Sequence, residues 1–188
     1  MTENKHINDS SISGEKHKGL VQVLTGDGKG KTTAAVGSIV RALSHGLSVY
    51  VAVFMKNNNP FGEWTYLSRT SNVRIENFGS ENFCRPSDVK PEEKERANLA
   101  LQAARNAMCG GKYDLVVLDE VNVAAAWKLI DTNDVIKLIE DRPSHVRLIF
   151  TGRYADREII KRADLVTEML NIKHPFDAGE PAREGIEY

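Results

Sequence analysis

Short apolar runs recur along the chain, each followed by a stretch with helical spacing. Leu20 to Leu24 (Leu-Val-Gln-Val-Leu) predicts a buried strand, and Thr32 to Ser44, rich in Ala and Val, predicts a helix. Gly46 suits a left-handed cap after that helix. Ser48 to Phe54 reads as a second buried strand, Lys56 to Gly62 as a loop, residues 63–70 as a short helix, and Val73 to Phe78 as a third strand. Gly79 to Lys90 has no regular pattern. Pro91 fits a first helical position, with Glu92 and Glu93 favourably placed at the positive end of the helix dipole. Ala97, Leu101, Ala104 and Met108 then recur at the spacing of one helix face, up to Gly110-Gly111. Leu115 to Leu118 is the next buried strand and ends in Asp119-Glu120. Residues 123–130 and 132–140 predict two short helices, the second capped by Thr132. Val146 to Thr151 is a strand followed by Gly152-Arg153, Asp156 to Arg162 a helix, and Leu165 to Leu170 a last strand. Strands that are continuous apolar runs, alternating with helices, imply a mostly parallel α/β sheet with helices on both faces. Residues 1–18 are polar and aperiodic and predict a flexible N-terminal tail, leaving 19–188 as a single domain. The C-terminal stretch from Lys173 to Tyr188 is irregular.

Composition narrows the partners more than the fold. With 188 residues, 41% hydrophobic and 27% charged, the chain matches an ordinary globular domain. A net charge of −1 offers no basic face for nucleic acid. The apolar runs are strand-sized, so no membrane span is expected, and the N-terminus lacks the apolar core of a secretory signal. Cys84 and Cys109 make neither a disulfide framework nor a metal site, and they fit a reduced, cytoplasmic setting.

The chemistry is concentrated in Thr25-Gly26-Asp27-Gly28-Lys29-Gly30-Lys31-Thr32-Thr33. A Gly-rich turn between a strand and a helix directs several backbone N–H groups at one point, where the helix dipole adds partial positive charge. Lys31 supplies a cation, and the Thr32 hydroxyl suits Mg²⁺. Gly26 through Thr33 therefore form the candidate triphosphate site of a RecA-like P-loop domain. The usual pattern is G-x-x-x-x-G-K-[ST], but the first-Gly position here is Thr25. Counted from Gly26, the loop is one residue short. Asp119 and Glu120, expected at the tip of a neighbouring strand, complete an oxygen-ligand set with Thr32 for Mg²⁺, or Mn²⁺ in its place. Arg153 after another strand suits a phosphate, with a surface pair to Asp156 as the plainer reading. Arg41, on the helix after the loop, is ambiguous because solvated faces carry Arg routinely.

Several separated segments together resemble a known family. Val23 to Ala35, Arg41-Ala42, His45-Gly46, Val116 to Glu120, Thr151-Gly152-Arg153 and Ala163 to Met169 are similar to the ATP:corrinoid adenosyltransferases of the CobA/CobO/BtuR type. The ending, Lys173 to Gly179 with Gly185 to Tyr188, resembles that family too. The resemblance runs from about Gly19 to the last residue. It implies transfer of the 5′-deoxyadenosyl group of ATP to Co(I) of a corrinoid, with triphosphate released. It also implies a flavoprotein reductant, a homodimer, and ATP held reversed, so that the phosphate chain leaves while C5′ faces the cobalt. By position it assigns the phosphates to Gly26, Asp27, Gly28, Lys29, Gly30, Lys31, Thr32 and Thr33, the metal to Thr32 and Glu120, a phosphate to Arg153, and another part of ATP to Arg41.

The corrinoid side departs from the family. Its usual Phe-x-Trp pair is missing from Phe78 to Arg85, which leaves Phe83, then Phe78, to displace the lower cobalt ligand. Trp64 lies in a different loop. His174 is expected to fix the C-terminal segment, with Phe176 packed beneath it, rather than to ligate cobalt. A P-loop ATPase or a nucleoside or nucleotide kinase is the competing reading. The chain lacks the Arg-rich lid of one and the Cys₄ zinc site of another, and a nucleic-acid motor would need a basic channel.

Overall fold

The computed structural model describes residues 18–56, 62–80 and 89–186. Six parallel strands form one sheet: β1 (Val21–Thr25), β2 (Val49–Val53), β3 (Val73–Asn77), β4 (Leu115–Asp119), β5 (Arg147–Thr151) and β6 (Leu165–Glu168), in the order β3-β2-β4-β5-β1-β6. Helices α1 (Lys31–Ser44), α2 (Gly62–Leu67), α3 (Pro91–Cys109), α4 (Val121–Ala126), α5 (Thr132–Glu140) and α6 (Arg157–Arg162) connect them.

Side-chain alternation along the strands divides the core in two. Val49, Val51 and Val53 of β2, with Leu115 and Val117 of β4, pack against Ala35, Ile39 and Ala42 of α1 and Trp64 and Leu67 of α2. Tyr50, Ala52, Val116 and Leu118 point the other way, toward Ala97, Leu101, Ala104 and Met108 of α3 and the buried residues of α4, α5 and α6. Both faces of the central strands are thereby dry, which explains their unbroken apolar runs. The edge strand β6 differs: its residues are exposed, Leu165 at 43% and Val166 at 38%. Its pairing also stops at Glu168 rather than at Leu170, because Met169 and Leu170 turn onto the Gly-rich loop.

Three local readings need correction. The cap of α5 is Asp131, whose carboxylate accepts from the Asn133 N–H at 2.8 Å; Thr132 already belongs to the helix. Only the residue with extended backbone can turn its side chain back onto the first free N–H groups. Helix α4 begins at Val121, not 123, because Glu120 adopts a left-handed φ of 66° and turns the chain at once after β4. It ends at Ala126, short of 130, and Lys128 beyond it has a φ of 58°. Phe176 is 76% exposed and so does not pack beneath His174. His174 does fix this segment: its Nδ1 accepts from the Phe176 N–H at 3.1 Å and caps a single 3₁₀ turn, Pro175–Ala178.

One buried polar link carries a pH signature. The Tyr50 hydroxyl donates to Glu76 at 2.7 Å, and Arg74 holds the same carboxylate. Burial first, then the Glu76 hydrogen bond and charge, push the phenol well above its ordinary range. The folded chain therefore keeps this proton at pH values where the unfolded chain releases it. The stability Tyr50 adds over Phe is full below pH about 10 and declines as pH rises through that value. We expect Tyr50→Phe to cost about 1 kcal/mol at pH 7. In urea unfolding the gap to the wild type should narrow above pH about 10; a gap constant to pH 11 contradicts this.

Candidate active site

The Gly-rich turn leaves the carboxyl end of β1. Thr25 is still part of the strand, paired with Glu168 and 7% exposed, and its hydroxyl accepts from the Ala155 N–H at 3.3 Å. The strand thus occupies the position of the usual first glycine, which is why the loop is short. Gly26 and Gly28 are required by close approach. A Cβ on Gly26 would lie 2.4 Å from the Met169 carbonyl oxygen, and one on Gly28 2.5 Å from that of Leu170. The Gly28 N–H donates to the Met169 carbonyl at 2.7 Å, so the segment after β6 backs the loop. Gly30, at φ 116°, turns the chain into α1.

Lys31 is the first residue of α1. Its ammonium donates to the Gly26 and Gly28 carbonyls at 2.8 and 2.6 Å, bracing the loop from within. Burial, then the charge of Arg153, hold its pKa below the ordinary lysine value, while Glu120 and Asp27 oppose them. Arg153 reaches Asp27 and not Asp156: its guanidinium donates to the Asp27 carbonyl at 3.2 Å, with the Asp27 carboxylate 3.9 Å away. Asp156 instead caps α6 by accepting from the Glu158 N–H. Asp27, Lys29 and Thr33 lie at the exposed rim of the loop.

The acidic pair stands two strands from the loop rather than on a neighbouring strand, because β5 lies between β1 and β4. Thr151 at the tip of β5 bridges that gap. Its hydroxyl donates to Asp119 Oδ1 at 2.7 Å and accepts from the Glu120 N–H at 2.9 Å. Asp119 is fully buried, and its Oδ1 also accepts from the Thr32 hydroxyl at 2.9 Å. Its other oxygen takes the Lys56 ammonium at 2.6 Å. The Glu120 carboxylate lies against Gly152, where a Cβ would stand 3.1 Å from Oε2. Burial, followed by the charge of Asp119, raises the Glu120 pKa against the pull of Lys56, Lys31 and Arg153.

Lys56, like Thr151, is a residue of this network that the sequence reading missed. It stands just beyond β2, and its Nζ is also 3.2 Å from the Thr32 hydroxyl oxygen. Burial works against its charge, but Asp119 and then Glu120 and Glu63 outweigh that and raise its pKa. A lysine directly after a buried apolar run, at the carboxyl edge of a parallel sheet, was the available signal.

The oxygens of Thr32, Asp119 and Glu120 suit a hard divalent cation, and a cationic nitrogen already rests between two of those residues. Among the described residues no cluster of three His, Cys, Asp or Glu side chains could hold a metal alone. Mg²⁺ takes few protein ligands and completes its shell with phosphate oxygens and water.

Other predicted residues lie apart. Arg41 is exposed in the last turn of α1, roughly 15 Å along the helix from Lys31 at 1.5 Å per residue. Phe78 packs against the core on the α3 face, and Phe83 lies outside the described residues. Two clefts flank Lys29. One, of about 340 Å³, includes Thr33, Val36 and Glu63; the other, of about 480 Å³, includes His174, Phe176 and Arg183.

A Gly-rich loop between β1 and α1, braced by its own lysine and joined by a Thr–Asp link to a strand one place removed, defines the P-loop class of fold. The fold agrees: flagellar accessory protein FlaH from Methanocaldococcus jannaschii superposes with a TM-score of 0.55 at 12% identity, over 80% of this chain and 71% of that one. The chain belongs to the ATP:corrinoid adenosyltransferase family BtuR/CobO/CobP, whose model matches residues 17–188. It is 36% identical to corrinoid adenosyltransferase CobA of Salmonella typhimurium, over 93% of this chain and 88% of that protein. It is 37% identical to a Sinorhizobium corrinoid adenosyltransferase, over 91% and 81%, and 32% identical to that of Pseudomonas aeruginosa, over 100% and 93%. Membership makes it a transferase that adenosylates corrinoids with ATP, and the kinase and ATPase readings are not favoured. No helix among the described residues is long and apolar enough to cross a membrane.

Proposed function

We propose that the Gly26–Thr33 loop holds the triphosphate of ATP as a leaving group while Co(I) of a corrinoid attacks C5′. The Co–C5′ bond forms from the cobalt electron pair. The bond from C5′ to the triphosphate oxygen breaks, and its electrons leave with the phosphate chain. No general base takes part, so positioning and charge stabilisation carry the catalysis. The observation that carries this reading is the short, braced loop: Lys31 sits within it and Arg153 is anchored at its rim. Lys31, the loop N–H groups and Arg153 stabilise the departing charge.

Thr32 and Glu120 would hold Mg²⁺, with Asp119 fixing the Thr32 hydroxyl. The ion, when bound, neutralises phosphate charge and orients the chain of phosphates. Family likeness alone supports Arg41 on another part of ATP, Phe83 on the corrinoid side, a flavoprotein reductant and a homodimer, and cysteine usage supports a cytoplasmic location. Incubation with ATP, Mg²⁺ and a chemically reduced corrinoid should give the absorbance change of adenosylcorrinoid together with inorganic triphosphate. Release of ADP or orthophosphate without alkylated corrinoid overturns this function.

A further inference from the structure

Lys56 sits at a sharply constrained point. Met55 before it has a φ of 61°, and the Lys56 N–H bonds back to the Phe54 carbonyl at 2.7 Å. A Cβ on Gly79 would fall 1.5 Å from the Lys56 carbonyl oxygen, so β3's exit fixes the same turn. Left-handed backbone at a non-glycine residue costs free energy and persists where the surroundings enforce it. Here it aims an ammonium across the tip of β4.

The hydrogen bonds assign that ammonium a specific place. The Thr32 hydroxyl spends its proton on Asp119 Oδ1, so its lone pairs remain to accept, and the Lys56 ammonium donates to that oxygen. A divalent cation ligated by Thr32 would need the same oxygen. It would leave the Thr32–Asp119 bond intact and displace only Lys56. A second cation so close to an ammonium in a low-dielectric pocket is strongly unfavourable.

We infer that Lys56 holds the divalent cation's place between Thr32 and Asp119 and gives it up only when metal and triphosphate enter together. The incoming phosphate charge adds to the compensation that Glu120 and Glu63 give the ammonium once it has left Asp119, whereas a metal ion arriving alone adds only repulsion. Lys56 is thus a positioning residue that makes metal entry depend on nucleotide. This inference rests on the metal reading of Thr32 and Glu120, and the test separates the two.

Mn²⁺ binding to the nucleotide-free protein is measured by electron paramagnetic resonance for the wild type and for Lys56→Gln, which keeps a donor near Asp119. The variant should bind Mn²⁺ about tenfold or more tightly than the wild type, in line with removal of a neighbouring positive charge. Equal, measurable affinities overturn the role of Lys56 and leave the metal site standing. If neither protein binds Mn²⁺ and ATP produces no protein-bound signal, the metal reading falls and takes the inference with it. A second measurement needs no change at Lys56. The Trp64 ring lies 6.0 Å from the Lys56 ammonium, so its emission reports departure of that charge. In a Trp127→Phe background the emission should stay constant with Mg²⁺ alone and change with Mg²⁺ plus inorganic triphosphate. The same change with Mg²⁺ alone overturns the inference.

Discussion

Lys31→Ala should lower the rate of adenosylcorrinoid formation by about three orders of magnitude, measured with a corrinoid already reduced to Co(I). Removing one preorganised charge partner from a developing anion costs about 10²–10³ in rate. Lys31 has a second task that places it at the upper end: its ammonium ties the Gly26 and Gly28 carbonyls together. Losing it removes both the charge and the brace that holds the loop N–H groups convergent. The fold should survive, because α1 is anchored through Ala35, Ile39 and Ala42 and the loop is backed by Met169. Circular dichroism of the variant should therefore match the wild type. A variant that works within tenfold of the wild-type rate would show that the leaving group is stabilised elsewhere.

The largest effect on stability should come from Asp119→Ala. That carboxylate is fully buried and accepts from Thr32, Thr151 and Lys56. Its removal takes the 2.6 Å counter-charge from a mostly buried ammonium, and breaking one side of such a pair costs about 3–5 kcal/mol. At about 2–4 °C per kcal/mol for a chain of this size, the midpoint of thermal unfolding should drop by about 10 °C. Asp119→Ala combined with Lys56→Met should recover part of that loss, because the second change removes the stranded charge. A single variant that melts within about 2 °C of the wild type would mean that water or Glu120 compensates Lys56. Adenosyl transfer should be lost in both variants, since the Thr32 hydroxyl no longer has its acceptor.

Much of the molecule follows from local pattern. The run Leu115–Asp119 is a strand because every residue is dry on both faces, and the same holds for Val49–Val53. The loop could be located because its signal is contiguous: glycines, then Lys31 and Thr32, at the start of a helix. The acidic pair was also legible, as carboxylates ending a buried strand at the carboxyl edge of a parallel sheet, where ligands bind. Arg153 was singled out too, and it lies against Asp27 at the rim of the loop rather than against the nearby Asp156.

Tertiary structure alone decided how those pieces meet. Alternation of apolar residues says which positions are buried, but not which strand lies beside which. The insertion of β5 between β1 and β4 was therefore invisible, and with it the role of Thr151 as the link between two halves of the site. Lys56 lies 63 residues from Asp119 in sequence and 2.6 Å from it in space. Gly26 and Gly28 read locally as a cradle for an anion. Their lack of a side chain is also demanded by the Met169 and Leu170 carbonyls, from the far end of the chain. The sequence by itself determined the elements, the core and the phosphate loop, because each depends on residues a few positions apart. The polar network around Asp119 depends on strand order, which only the packed sheet fixes.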